Sequence, residues 1–321
     1  MSALTHDTTG RTSSGLGFAV LSASSFALSG PLASGLLSAG WSAAAAVAVR
    51  VLIAAVVIVP FAVVAVRGRW ALVRRNLPLI VAYGVIPVAG TQLAYFNAVA
   101  YMPVGVALLI EFTSPVAVVG WLWLRYSQRP TWLTVLGAVL AIIGLLLVLD
   151  VVSGMQANVI GVAWALVAMI GGAVYFVLSS RPTGGLPGVV LAAGGMLVGG
   201  ITLLLAGAVG IVPFVVSGAP VAFSGFSVPW WAPVLTLGVV TAGIAYVAGI
   251  AAARRLGSRL ASFVGLMEVV MTLVFAWLLL AQAPRLIQVA GGVLVLAGVV
   301  AVKLGERRVA PAAQVEPVAA V

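Results

Sequence analysis

Charge is scarce in this sequence. Only 22 of its 321 residues are Asp, Glu, Lys or Arg, which is 7%, where a soluble domain carries about 25%. A soluble protein of this size could not cover its surface with so few charges. With 63% hydrophobic residues, the chain is an integral membrane protein, and soluble enzymes are excluded. Cysteine is missing altogether, which removes disulfides and thiolate metal sites. The single histidine, His6, lies in a polar tail and has no partner for a hydrolytic triad. HExxH and the phosphate-cradling G-x-x-x-x-G-K-[ST] pattern are both lacking, so no metal, cofactor, nucleotide or enzymatic activity is expected. The net charge of +10 is spread thinly between apolar runs, which argues against nucleic acid and for charges that anchor loops in the cytoplasm.

What is present is a succession of long apolar runs. The first, Gly15–Leu37, is longer than a signal-peptide core and is preceded by Arg11; similar runs recur to residue 302, so it reads as a span. Between Arg181 and Arg254 lie 72 residues without an ionisable group, too many for one helix of about 20. This interval divides at Pro213, the loop-like VSGAPVAFSGFSVP and Trp230–Trp231. Ten spans result: 15–38, 44–66, 78–98, 103–124, 131–149, 158–180, 187–212, 230–252, 257–279 and 285–302. Residues 1–14 are read as a cytoplasmic tail and 303–321 as a second one, disordered over 309–321. With the N-terminus inside, fourteen of the sixteen basic residues fall in cytoplasmic segments, leaving Arg285 outside and Arg50 within a helix. That bias supports the even count and the orientation.

The sequence repeats at an offset of 154. Gly84, Pro130, Gly137 and Gly144 map onto Gly238, Pro284, Gly291 and Gly298, and QRPTWLTVLGAVLAIIGLLLV lies over QAPRLIQVAGGVLVLAGVVAV. The expected fold is therefore all-α and polytopic, with repeats over 15–149 and 158–302. Five spans per repeat place the second copy upside down. Such inverted repeats belong to secondary transporters with a site at their interface.

Three ionisable residues lie within spans: Arg50, Glu111 and Glu268. A charge at such a depth should face a cavity or a partner. Arg50 and Glu111 both lie about 10–12 Å from the outer ends of their helices, so a pair between them is expected. Glu268 has no basic residue within its own span, so desolvation dominates there. Glu268 is thus the expected proton carrier, and Glu111 the organiser of Arg50 and the bound solute. The competing readings are a snorkelling arginine and carboxylates that only join helices. At offset 154 the counterpart of Glu111 is Gly265 and that of Glu268 is Ser114, so the two carboxylates are not equivalent.

Further polar candidates are Thr91, Gln92, Tyr95, Asn97, Thr113, Ser114, Tyr175, Tyr246 and Ser262. Of these, Thr91, Tyr95, Asn97 and Tyr246 join Arg50 and Glu111 as candidate substrate contacts; interhelical hydrogen bonding is the alternative for each. Trp121, Trp123, Trp132, Trp230 and Trp231 lie near span ends and read as interface anchors. Pro87 and Pro115 interrupt spans as kinks or hinges. Gly195 and Gly199 form a close-packing face.

Arg50 in AAVAVRVLIAAVVIV, the stretch YFNAVAYMPVGVALLIEFTSPVAVVG and RRLGSRLASFVGLMEVV resemble the EamA branch of the drug/metabolite transporter superfamily over about residues 15–303. The segment PVGVALLIEFTSP is most similar to bacterial inner-membrane threonine and homoserine exporters. The resemblance implies a two-fold inverted repeat around a central cavity, and export of a small amino-acid-like zwitterion, usually in exchange for protons. The family's helix-2 arginine corresponds to Arg50 and its glutamate before Phe-Thr-x-Pro to Glu111. Its second-half Glu-Pro falls on Glu268 followed by Val269, so a proline kink does not carry over there. The competing functions are a proton-coupled exporter of cationic drugs, an importer, and a non-transporting packing or assembly protein. Arg50 argues against a purely cationic substrate, because a fixed positive charge repels one.

This topology places both termini and the 67–76 loop in the cytoplasm and the 213–229 segment outside. In the naturally cysteine-free chain, a membrane-impermeant thiol reagent applied from outside should label Ser217→Cys and spare Arg74→Cys. Labelling of position 74 would overturn the orientation.

Overall fold

The computed structural model describes residues 2–101, 110–148, 158–281, 283 and 285–306. Part of the predicted 103–124 span, Asp150 with its loop, and the tail beyond 306 lie outside these residues. In lipid every backbone polar group must be satisfied within the chain, and the apolar runs accordingly fold as helices. Helices α1 (Ser2–Ala27) and α2 (Ser29–Ser38) form the first crossing, bent at Leu28, and α3 spans Ala43–Val66. Two short helices follow, α4 (Trp70–Arg75) and α5 (Leu77–Tyr83); α5 runs through a π-helix, Gly84–Gly90, into α6 (Thr91–Tyr101). Next come α7 (Ser114–Tyr126), α8 (Trp132–Val148), α9 (Val159–Ser180) and α10 (Gly188–Ala208). A two-stranded hairpin, β1 (Val221–Phe223) and β2 (Phe226–Val228), leads to α11 (Trp231–Thr236) and a second π-helix, Leu237–Ile244. Helices α12 (Ala245–Gly265), α13 (Met267–Leu280) and α14 (Leu286–Glu306) complete the described chain.

Among the described residues seven helices are long and apolar enough to cross a membrane, with shorter apolar helices at Trp132–Leu147 and Met267–Leu279. One of the seven, Trp231–Gly265, is a 35-residue run whose helical geometry is interrupted at Gly257 (φ 77°, ψ 164°). A side chain is strained at that φ, and the glycine falls where the sequence called for a connection between spans. Helix α1 begins within the 1–14 tail, at Ser2. One expectation is corrected: the loop-like segment after Pro213 contains the hairpin, whose turn residue Gly225 has φ 82°. The hairpin is fastened at both sides: Ser224 N–H donates to the Leu279 carbonyl at 2.9 Å, and Val221 is buried beside Gly35 of α2.

One end of the bundle collects the basic loops. Asn76 donates to the Thr183 carbonyl at 3.2 Å, Arg254 to the Leu186 carbonyl at 2.7 Å, and Arg259 to the Gln128 carbonyl at 3.4 Å. The opposite end carries the hairpin and the α2–α3 connection, where Ser42 N–H donates to the Val215 carbonyl at 2.9 Å and Trp41 Nε1 to Ser217 at 2.7 Å. Trp121, Trp123, Trp132, Trp230 and Trp231 are all exposed, as lipid-facing indoles would be.

Small residues set the helix spacing. Helices α8 and α14 pack antiparallel: a Cβ on Gly137 would lie 2.6 Å from the Gly298 carbonyl oxygen, and one on Gly144 would lie 2.6 Å from that of Gly291. On α10, Gly195 receives the Tyr83 ring and Gly199 the Val88 side chain, so that glycine face is used within the chain.

Irregular backbone recurs at matching places in the two halves. The π-helices begin at Gly84 and Leu237, 153 positions apart. A helix break at Thr113, where Thr113 N–H bonds Ile110 and Val116 N–H bonds Thr113, is matched by one at Leu266, where Leu266 bonds Phe263 and Val269 bonds Leu266. Beyond the breaks, Ser127 and Ala281 both adopt φ 54°, 154 positions apart. The one-residue difference is the extra residue of α13, which has 14 residues against 13 in α7. Pro87 lies in the first π-helix and Pro115 in the first turn after the first break, yet the second half repeats both features without proline. The helix does break before Glu268, contrary to the expectation from its missing proline. Threonine hydroxyls serve the widened π turns instead: Thr91 donates to Ile86 at 3.2 Å and Thr241 to Leu237 at 2.8 Å.

Because the Gly137 and Gly298 backbones are in contact, Gly137→Ala should force α8 and α14 apart and cost about 1–3 kcal/mol. Gly120, whose added Cβ would meet nothing within 4 Å, should tolerate alanine within about 0.5 kcal/mol. Thermal unfolding of both variants in lipid nanodiscs measures the difference.

Candidate functional site

The irregular backbone surrounds a cavity of about 850 Å³. Its lining includes Arg50, Thr91, Gln92, Tyr95, Glu111, Ser114, Tyr175, Tyr246, Ser262 and Glu268. Gly265 lines it as well, so both positions that match the carboxylates at offset 154 border the same space. The lining reaches Leu37, Ser38 and Ala43 toward the hairpin end.

Arg50 sits two turns into α3, in an alanine-rich stretch that lets neighbouring helices approach. It is 7% exposed. Its Nη1 donates to the Ser29 hydroxyl at 2.5 Å, just beyond the α1–α2 bend. Its Nε is buried and, among the described residues, has no hydrogen-bond acceptor. A buried donor without an acceptor is costly, and the residue that carries it lines the cavity.

The tertiary arrangement changes the expected pairing. Arg50 lines the cavity together with Tyr246 and Glu268, and its short hydrogen bond goes to Ser29 rather than to Glu111. Glu268 thus shares its cavity with a basic residue supplied by another helix. Glu268 is also the second residue of α13, where the helix N-terminus favours negative charge. Glu111 lies two residues before the Thr113 break, whereas Glu268 lies two residues after the Leu266 break. The carboxylates thus occupy opposite sides of matching breaks. Glu111 shares the lining with Tyr95, Tyr246 and Glu268.

Aromatic rings form one wall. Tyr246 meets Phe26 edge-on at 5.0 Å and Tyr175 at 5.6 Å, and Tyr175 meets Phe176 at 4.9 Å. The Tyr175 hydroxyl occupies space that only a glycine at 249 leaves open. Toward the basic-loop end the packing closes: Tyr83 is fully buried, Ser179 donates to its hydroxyl at 3.3 Å, and the Arg255 guanidinium lies 4.6 Å from the Phe18 ring.

Two candidates stand apart. Asn97 is not in the lining; its amide donates to the Leu93 carbonyl at 2.7 Å, one turn back along α6, which corrects its expected role as a substrate contact. Thr113 donates to Ile110 at 2.6 Å and contacts Met169, so it serves the break. Sequence reasoning missed Ser22, Phe26, Ser29 and Thr272, which also line the cavity. The signal for the first three was the polar run SASSFALSGP within an otherwise apolar span. For Thr272, one turn after Glu268, the signal was its place on the helix that carries the carboxylate. Among the described residues no cluster of three His, Asp or Glu could hold a metal.

No curated protein matches the chain. A crystal structure described only as that of a protein matches with a TM-score of 0.72 at 22% identity, covering 93% of this chain and 99% of that one, and so shares the fold. Residues 13–150 and 159–304 each match the EamA-like transporter family, and the two matches divide the chain where the internal repeat does. The chain belongs to the EamA-like transporter family.

Proposed function

We propose that the protein is a secondary transporter that exports small amino acids or related metabolites across the bacterial inner membrane in exchange for protons. It does so by alternating access between two inverted five-helix repeats, with ten membrane-spanning helices and both termini cytoplasmic. The observation that carries this reading is the convergence of Arg50, Glu111 and Glu268, from separate helices, on one cavity. A solid interior would have favoured a packing protein.

The chemistry suits a zwitterion. Arg50 lines the cavity, and a guanidinium binds carboxylates through paired N–H groups. Glu111 and Glu268 offer acceptors for an ammonium group or sites for protons. Thr91, Tyr95 and Tyr246 contribute polar groups to the same walls. The matched π-helices and breaks support the duplication. The pairing of Gly137 with Gly298 and of Gly144 with Gly291 supports its inversion, because a two-fold axis that exchanges 137 with 291 and 144 with 298 turns each contact into the other. The basic loops at one end support the orientation.

A second reading, export of cationic drugs, is favoured by the aromatic wall and by two carboxylates facing one arginine in about 850 Å³. Transport assays separate the two. Proteoliposomes carrying a pH gradient should transport amino acids of the threonine and homoserine kind better than lipophilic cations. Arg50→Leu should lower kcat/KM for the amino acid by about 10- to 100-fold, the worth of a charged hydrogen bond. Arg50→Lys should recover part of the loss, since lysine keeps the charge without the guanidinium fork. Undiminished amino-acid transport by correctly inserted Arg50→Leu would remove the carboxylate role.

A further inference from the structure

We propose that Arg50, Glu111 and Glu268 together bind one proton, and that Arg50 sets this number: two carboxylates less one guanidinium. The inference rests on the proton-coupled reading only for the use made of the proton in transport. The count itself follows from which charges share the cavity.

All three groups border the same space. They come from separate helices, so the fold alone brings their charges to one cavity. Fully ionised, the trio carries one net negative charge within an apolar bundle. Uncompensated charge is unfavourable there, and two like charges that share one low-dielectric cavity repel each other. One proton makes the trio neutral. A second would leave Arg50 uncompensated.

Among the described residues, the other titratable groups that line the cavity do not alter the balance. They are Tyr95 on α6, Tyr175 on α9 and Tyr246 on α12, and phenols carry no charge near neutral pH. Residues 102–109, which precede Glu111 in the chain, contain no ionisable side chain. Arg254 is engaged at the basic-loop end by the Leu186 carbonyl and the Thr183 hydroxyl. The proton therefore belongs to the pair of carboxylates rather than to either one. This differs from a dedicated carrier, in which one glutamate titrates and the other only binds.

Infrared difference spectroscopy on the full-length protein in lipid nanodiscs, titrated across neutral pH, counts protonated carboxyl groups by their C=O stretch. No transported solute is needed. The other four acidic side chains, Asp7, Asp150, Glu306 and Glu316, are common to every variant and cancel between them. The wild type should show one protonated carboxyl per chain. Glu111→Gln and Glu268→Gln should each abolish it, because the carboxylate left is balanced by Arg50. Arg50→Lys should keep one, and Arg50→Gln should double the signal. Should Arg50→Gln fail to fold, the double variant Arg50→Gln/Glu111→Gln decides, since it should regain the one proton that Glu111→Gln lost. A signal surviving in one of the two single glutamate variants, an unchanged signal in Arg50→Gln, or none in the double variant would overturn the proposal. Counts as expected together with transport indifferent to pH would leave this proton site standing and remove proton coupling from the proposed function.

Discussion

Everything in this protein answers to one constraint: in a bilayer the backbone must satisfy its own hydrogen bonds. Regular helix meets that demand wherever lipid is the neighbour. The two π-helices and the two matched breaks border the cavity, and hydroxyl side chains there bond backbone carbonyls. Thr91 and Thr241 do so in the two π-helices, Thr113 at the first break, and Thr272 one turn into α13, where it donates to the Glu268 carbonyl at 2.8 Å. Polar side chains near the cavity thus divide into those that mend the backbone and those left free for a solute. Asn97 and Thr113 belong to the first group, and Arg50, which lines the cavity, to the second.

The packing that holds this arrangement comes from the smallest residues. Without a hydrophobic effect to drive helices together in lipid, close approach and van der Waals contact must serve. Gly137 against Gly298 and Gly144 against Gly291 bring α8 and α14 to backbone contact, while Gly195 and Gly199 seat α10 against Tyr83 and Val88. At the cavity a glycine does the converse, as Gly249 leaves room for a tyrosine hydroxyl. The tight contacts lie away from the cavity, and bulky aromatic rings line it. That division keeps an open volume within an otherwise close-packed bundle.

Proline marks two of the irregular sites but does not explain them. Pro87 and Pro115 stand in the first repeat, and the second repeat forms its π-helix and its break with Thr241 and Val269 nearby instead. A shape that persists without proline is held by its surroundings: side-chain hydroxyls, glycine, and the helices packed across it. The two carboxylates use these matching breaks differently, one before and one after, which makes a two-fold scaffold into an asymmetric site.

The sequence by itself determined the membrane class, the placement of the apolar helices, the clustering of basic loops and the duplication. These rest on local quantities: hydropathy over about 20 residues, charge counts in loops, and glycine spacing along one helix. Arg50, Glu111 and Glu268 were legible as candidates for the same reason, since a charge in an apolar run is visible without any fold. Only the tertiary structure decided which of them are neighbours. Arg50 and Glu268 are 218 positions apart in the chain, and the packing of α3 against the second repeat brings them to one cavity. Only the tertiary structure turned Asn97 away from the cavity, because which face of a bent helix points inward depends on the π-helical turn before it. The break ahead of Glu268 likewise carries no local signal, since it is imposed by packing rather than by the residue that follows.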